Sequence, residues 1–148
     1  MKAYVAREAG GPEVLRLQDL DAPVAGDGEV RIVVKAFGVN RLDLYVRSGA
    51  WGAIGAPHQL GIEAVGEISE DRTGTLPKGT RVATYAEQIV VRASHVVPLG
   101  NAALDWATLG ALPEAFLTAW AGFHKGIHPQ VGEEILIVAR HPRSVSRP

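Results

Sequence analysis

The sequence predicts a mostly β domain with some α: a small barrel or sandwich of short strands, then one helix, then a single apolar strand. Three observations carry that prediction. Short stretches of alternating apolar and polar residues, separated by turn signals, fill the first two thirds of the chain. Seventeen glycines and nine prolines in 148 residues are many for this length and mark frequent turns. From Asp105 the spacing of apolar residues turns helical, and the run Ile135 to Ala139 is wholly apolar.

Each element follows in order. "MKAYVAR" is strand-like, and "GGPEVL" is a turn leading into a second strand in "LRLQDL". The proline- and glycine-marked "DAPVAGDGEV" precedes the clearest strand, "EVRIVVKAFGV", which puts Val30, Ile32, Val34 and Ala36 on one face and Arg31, Val33, Lys35 and Phe37 on the other. In "NRLDLYVRSG", Asn40 is placed to cap a short helix, Asp43 stands in its first turn and Gly49 at its end. Leu42, Tyr45 and Val46 share one face of it. "HQLGIEAVGEI" and "TRVATYAEQIVV" return to strand patterns, with the turn-rich "SEDRTGTLPKG" between them. Pro113 is suited to the first position of a longer helix and Gly126 to the position just past its end, with Phe116, Leu117, Trp120 and Phe123 as its apolar stripe.

Composition removes several function classes. The net charge is −1 at pH 7, with no long run of one sign, so no nucleic-acid or anionic-membrane surface is expected. No apolar stretch approaches the ~20 residues of a membrane span, and "MKAYVAREAGG" turns polar too early for a secretion signal. A cytoplasmic protein is expected. Cysteine is absent, which excludes disulfides, thiol catalysis and cysteine-ligated metal.

The segments "GGPEVL", "GEVRIVVKAFGVNRLDLYVRSG", "LGIEAVGEI", "YAEQIVV", "LGALPEAFLTAWAGF" and "VGEEILIVA", in this order, resemble the medium-chain dehydrogenase/reductase superfamily. Within it they are most similar to the zinc-independent, ζ-crystallin-like quinone oxidoreductases. The resemblance covers Met1 to about Ala139. It implies a GroES-like β-barrel catalytic domain over residues 1–112, a connecting helix and first Rossmann strand over 113–139, and an atypical tail over 140–148.

The zinc branch of that superfamily takes a cysteine where this chain has Asn40 and a histidine where it has Ile62, between Gly61 and Glu63. Neither residue replaces a soft or imidazole ligand in a tetrahedral site. His124 and His128 stand four apart, a spacing that can bind metal, but Gly126 and Pro129 interrupt the helix there. They read as surface or capping histidines, and no metal site is expected.

The resemblance places Asn40 and Tyr45 at the nicotinamide and substrate pocket as the catalytic pair. An amide and a phenol can both donate to a quinone oxygen while neutral at pH 7. It adds Trp51 as an aromatic wall and Thr118 near the cofactor ring, giving a cofactor-binding set of Asn40, Tyr45, Trp51 and Thr118. Plainer readings stand beside these. Asn40 is also a helix cap, Tyr45 a core-facing aromatic, Thr118 a helix-packing residue and Trp51 a loop anchor. Glu63 and Glu87 read as structural. One departure from the family is Thr80 before Arg81 and Val82, where Asp is common; another is a shorter loop before "YAEQ".

The family reaction implied is hydride transfer from NADPH to a quinone or activated alkene. After Ala139 the family has a glycine-rich turn whose amides hold the cofactor pyrophosphate. Arg140 to Pro148 contain no glycine. The expectation is therefore a truncated oxidoreductase, inactive as this fragment and binding no NADPH tightly. A GC-rich coding of Arg140 onward, read one base out of register, restores a glycine turn, so a frame slip would account for the tail. The exposed strand 135–139 is expected to drive homo-oligomer formation. The alternative function is a non-catalytic binding or regulatory module that pairs with itself or with a full-length relative.

Overall fold

The structure is a computed structural model that describes residues 1–52, 58–84 and 88–138. The expectations for Glu87 and for the tail from Arg140 fall outside these residues. The chain divides into two compact units, Met1–Phe116 and Leu117–Pro148.

Among the described residues, the first unit is built of eight strands in two sheets. β1 (Lys2–Ala6) lies between β2 (Leu15–Asp19) and β4 (His58–Gln59) in a three-stranded antiparallel sheet. The second sheet holds β3 (Glu29–Phe37), β5 (Ala64–Asp71), β6 (Arg81–Thr84), β7 (Gln88–Arg92) and β8 (Val97–Pro98), in the order β7-β3-β5-β6-β8. Each strand of this sheet is antiparallel to its neighbour.

The alternation in β3 decides which face meets the core. Val30 and Ile32 are buried, while Val33, Lys35 and Phe37 are exposed. Val30 and Ile32 pack with Ile68, Val82 and Val96, and Leu76, Ile89 and Val91 lie against that cluster. The β3–β5 pairing shifts register between Arg31 and Ile32 and again between Val34 and Ala36. Gly66 faces the second shift, where a Cβ would run into the Val33 carbonyl. Glycine is therefore what lets the two backbones close there.

Among the described residues, two α-helices belong wholly to this unit: α1 (Arg41–Ser48), which follows β3, and α2 (Trp106–Gly110). The end of α1 is Gly49 at φ 79°, the left-handed position that glycine occupies without strain. Asp105 caps α2, accepting from the Thr108 N–H at 2.9 Å and the Thr108 hydroxyl at 2.7 Å. Arg81 fastens the segment before α2. It donates to the carbonyls of Ala102 at 2.6 Å and Leu104 at 3.0 Å, and its guanidinium lies 4.2 Å from the Trp106 ring centre.

α3 (Pro113–Ala121) begins with the proline expected there. It does not stop at Gly126. The helix widens into a π-turn over Gly122–Ile127, closed by the His128 N–H on the Phe123 carbonyl at 2.8 Å. His128, at φ 52°, takes the left-handed closing position, and Gly126 lies inside the turn. His124 stacks on Trp120 with ring centres 5.0 Å apart, so each histidine has a local packing or capping role.

The run expected as the first Rossmann strand carries no ladder among the described residues. Ile135 to Val138 form no strand; Ala139 lies outside the described residues. A strand exists by its hydrogen-bonded ladder, and no described strand pairs with this run. Its apolar side chains stand in solvent, Leu136 at 87 % exposure. The apolar stripe expected on α3 is likewise exposed at Phe116, Leu117 and Trp120.

Candidate functional site

The junction between β3 and α1 brings together the two buried carboxylates Asp43 and Glu63. Asn40 caps α1 and Asp43 stands in its first turn. The Asn40 N–H donates to Asp43 Oδ2 at 2.9 Å, and the Asp43 N–H donates back to the Asn40 carbonyl at 3.1 Å. Asp43 is the buried residue of α1, and its second oxygen accepts from the Gly61 N–H at 3.1 Å. One carboxylate thus joins the helix start to the loop before β5, fixing where Gly61, Ile62 and Glu63 sit.

Glu63 is 5 % exposed, and both its oxygens are used. The Asn40 amide Nδ2 donates to Oε1 at 2.7 Å, and the Glu114 N–H, in the first turn of α3, donates to Oε2 at 2.9 Å. A buried carboxylate is tolerated only when such donors replace its water. Gly38 makes the approach possible, since a Cβ there would overlap the Glu63 carboxyl.

Of the four residues expected at the site, Asn40 is half-buried at this junction. Tyr45 is 43 % exposed, so it is not a core-facing aromatic. Its hydroxyl has no hydrogen-bond partner among the described residues. Trp51 is 71 % exposed just beyond the end of α1. Thr118 lies on α3 in the second unit and is exposed.

A cavity of about 370 Å³ opens beside α1, with Tyr4, Leu17, Phe37, Leu44, Asp43 and Glu63 among its lining residues. Asn40, Tyr45 and Trp51 do not line it. No three His, Asp or Glu side chains gather at metal-binding distance among the described residues. No helix among them is long and apolar enough to cross a membrane.

Sequence reasoning missed the joining role of Asp43, although Asn40 and Asp43 carry capping-box spacing. It also read Glu63 without seeing its partners, because contacts across 23 and 51 positions leave no local pattern.

The fit of a dinucleotide can be judged at the helix starts, where phosphates bind best. Each of the three described α-helices has a carboxylate there: Asp43 at α1, Asp105 at α2 and Glu63 at α3. Negative charge already occupies the anion positions, so these residues do not fit a pyrophosphate.

The model of the alcohol dehydrogenase GroES-like domain matches residues 26–125. The quinone oxidoreductase of Lama guanicoe is 33% identical over 148 residues, covering 93% of this chain and 44% of that protein. The quinone oxidoreductase of Pseudomonas aeruginosa is 46% identical over 139 residues, covering 88% and 42%. Among solved structures, the Escherichia coli quinone oxidoreductase complexed with NADPH superposes with a TM-score of 0.77 at 25% identity, covering 84% of this chain and 41% of that one. The chain spans under half the length of the curated relatives it matches.

Proposed function

Because the chain belongs to the alcohol dehydrogenase GroES-like domain family, we propose that it is the acceptor-binding part of a zinc-independent quinone oxidoreductase. Asn40 and Tyr45 orient a quinone or activated alkene there. In the whole protein, bound NADPH supplies the hydride. The reading carries with it a cytoplasmic protein acting on small molecules.

The observation that carries the reading is the state of the Asn40 amide. Nδ2 has two hydrogens. One is held by Glu63, and the other has no partner among the described residues. A half-buried donor of fixed direction suits a ketone oxygen that gains negative charge as hydride arrives. The exposed, unpartnered phenol of Tyr45 on the same helix provides a second neutral donor. Trp51, just beyond that helix, adds an aromatic surface for a flat acceptor, and Thr118 is assigned to the nicotinamide side in the whole protein.

Zinc independence rests on the residues themselves. Asn40 stands where a cysteine ligand would and is committed to Glu63, Ile62 stands where a histidine would, and the sequence has no cysteine. The carboxylate-capped helices leave this chain without a phosphate cradle among the described residues. On this reading the described residues by themselves hold NADPH weakly.

Fluorescence titration tests both halves. Menadione is expected to quench the tryptophans saturably, and NADPH to leave them unchanged. No response to menadione sinks the acceptor assignment; saturable NADPH binding sinks the claim that the chain lacks a cofactor site.

A further inference from the structure

Glu63 stands outside the set assigned to the acceptor, yet it is the buried charge on which that set is anchored. Its oxygens are divided between two tasks: Oε1 holds the Asn40 amide at 2.7 Å, and Oε2 holds the Glu114 N–H at the start of α3 at 2.9 Å. We propose that Glu63 is a positioning residue, whose carboxylate sets the orientation of the Asn40 amide and thereby aims its second N–H at the acceptor. The inference rests on the reading of Asn40 as an acceptor-binding residue and adds what controls it.

An asparagine amide can turn over and exchange its oxygen and nitrogen at little cost when its neighbours allow both arrangements. An ionised carboxylate only accepts. Facing Glu63 Oε1, Asn40 must present nitrogen, because its oxygen there would set two acceptors against each other. The amide thus has one orientation, fixed by a group that is itself fixed. Burial of Glu63 limits the water that could replace Asn40 as its donor, and Gly38 leaves no side chain in the way. The second bond, to α3, keeps the carboxyl plane from rotating away from Asn40.

A residue that only supported the fold would need any pair of acceptor oxygens. A residue that positions Asn40 needs an acceptor on the Asn40 side in particular. The change Glu63→Gln leaves one oxygen and one amide nitrogen, which cannot accept from both Asn40 and the Glu114 N–H. The change Glu63→Asp keeps two acceptors on a shorter stem.

The sequence makes the test clean, because its two asparagines are Asn40 and Asn101. In the full chain grown with isotope-labelled asparagine, the side-chain amide protons can be followed by NMR, with Asn101 as internal control. One Asn40 proton is expected downfield of its Asn101 counterpart, and menadione is expected to shift the other. Glu63→Gln should move the downfield proton back and weaken menadione binding by about tenfold, the value of one hydrogen bond near 1.4 kcal/mol. Glu63→Asp should recover part of both.

An Asn40 amide that keeps its wild-type signals in a folded Glu63→Gln chain overturns the positioning role. The wild-type spectrum serves if that variant does not fold, since Asn40 signals matching Asn101 overturn the role equally. If Glu63→Gln moves the Asn40 signals but menadione moves none in the wild-type chain, the acceptor reading fails instead, and the part of the proposal that aims Asn40 at a ligand fails with it.

Discussion

Asn40 and Glu63 meet at 2.7 Å across 23 positions of sequence, and Gly38 lies directly against the carboxyl that joins them. A methyl group at position 38 would occupy the volume of that carboxyl. Gly38→Ala is therefore expected to cost about 1–3 kcal/mol through overpacking. In a Glu63→Ala background the obstruction is gone, and the same change should cost less. A double-mutant cycle measured by urea denaturation should show a coupling of about 1 kcal/mol. Additive costs would mean that Gly38 is required for some other reason.

Tyr45 separates binding from stability. Its ring is 43 % exposed and its hydroxyl has no partner among the described residues. Tyr45→Phe should leave the unfolding midpoint nearly unchanged, within about 0.5 kcal/mol, as for a surface change. If the phenol orients the acceptor, menadione affinity falls several-fold in the same variant. Unchanged affinity would remove Tyr45 from the proposed site and leave Asn40 alone there.

Arg81 is expected to matter for stability more than its position on a short strand suggests. It donates to the carbonyls of Ala102 and Leu104 and covers the Trp106 ring. Arg81→Ala removes all three interactions and leaves the two carbonyls to find water. The expected cost is about 2–4 kcal/mol. Arg81→Lys keeps the charge but lacks the planar fork, and should fall between. Denaturant unfolding followed by tryptophan fluorescence checks both; a cost near zero for Arg81→Ala would show that the segment before α2 is held without it.

Two carboxylates, one at the end of β5 and one capping α2, should make the fold sensitive to acid. The Thr73 hydroxyl and the Leu76 N–H hold the Asp71 carboxyl below its ordinary value of 3.8, and the Thr108 N–H and hydroxyl do the same for Asp105. For groups lowered in the folded state, the unfolded chain binds more protons in this range, so stability rises with pH. Their contribution is full above the ordinary value and is lost as pH falls through the lowered folded values. Thermal unfolding from about pH 5 downward should show a decline that is shallower in an Asp71→Asn, Asp105→Asn double variant. A parallel decline would place the acid sensitivity elsewhere.

What could be read from the sequence was local. The alternation in Val30 to Phe37 gave the buried face of β3, and Asn40, Asp43 and Gly49 marked both ends of α1, because these signals lie within a few residues of what they decide. The Asn40–Glu63–Glu114 connection could not be read in that way, since its partners are brought together only by the path of β3, β5 and α3. The end of the last helix was misplaced for a related reason. Gly126 satisfies the usual rule for a helix stop, but the π-turn added a residue to the circuit and moved the left-handed position to His128. Ile135 to Val138 shows the opposite limit: side-chain pattern proposes a strand, and pairing decides whether there is one.

That unpaired run yields the last prediction. Leu136, Ile137 and Val138 are 87 %, 74 % and 80 % exposed. Adjacent apolar side chains in water favour burial at about 25 cal/mol per Å², and unpaired backbone offers a template for a second strand. The chain is therefore expected to self-associate through residues 135–138, with sedimentation velocity showing species larger than one chain that grow with concentration. Leu136→Lys with Val138→Lys would place charges on alternate positions of the run, the arrangement by which edge strands resist pairing. The double variant should sediment as a single chain with unchanged circular dichroism, since the first unit does not depend on these side chains for its core. Association that survives both lysines would transfer the interface to another exposed apolar surface, the Phe116, Leu117 and Trp120 side of α3. A wild-type chain that stays single at all concentrations would contradict self-association outright.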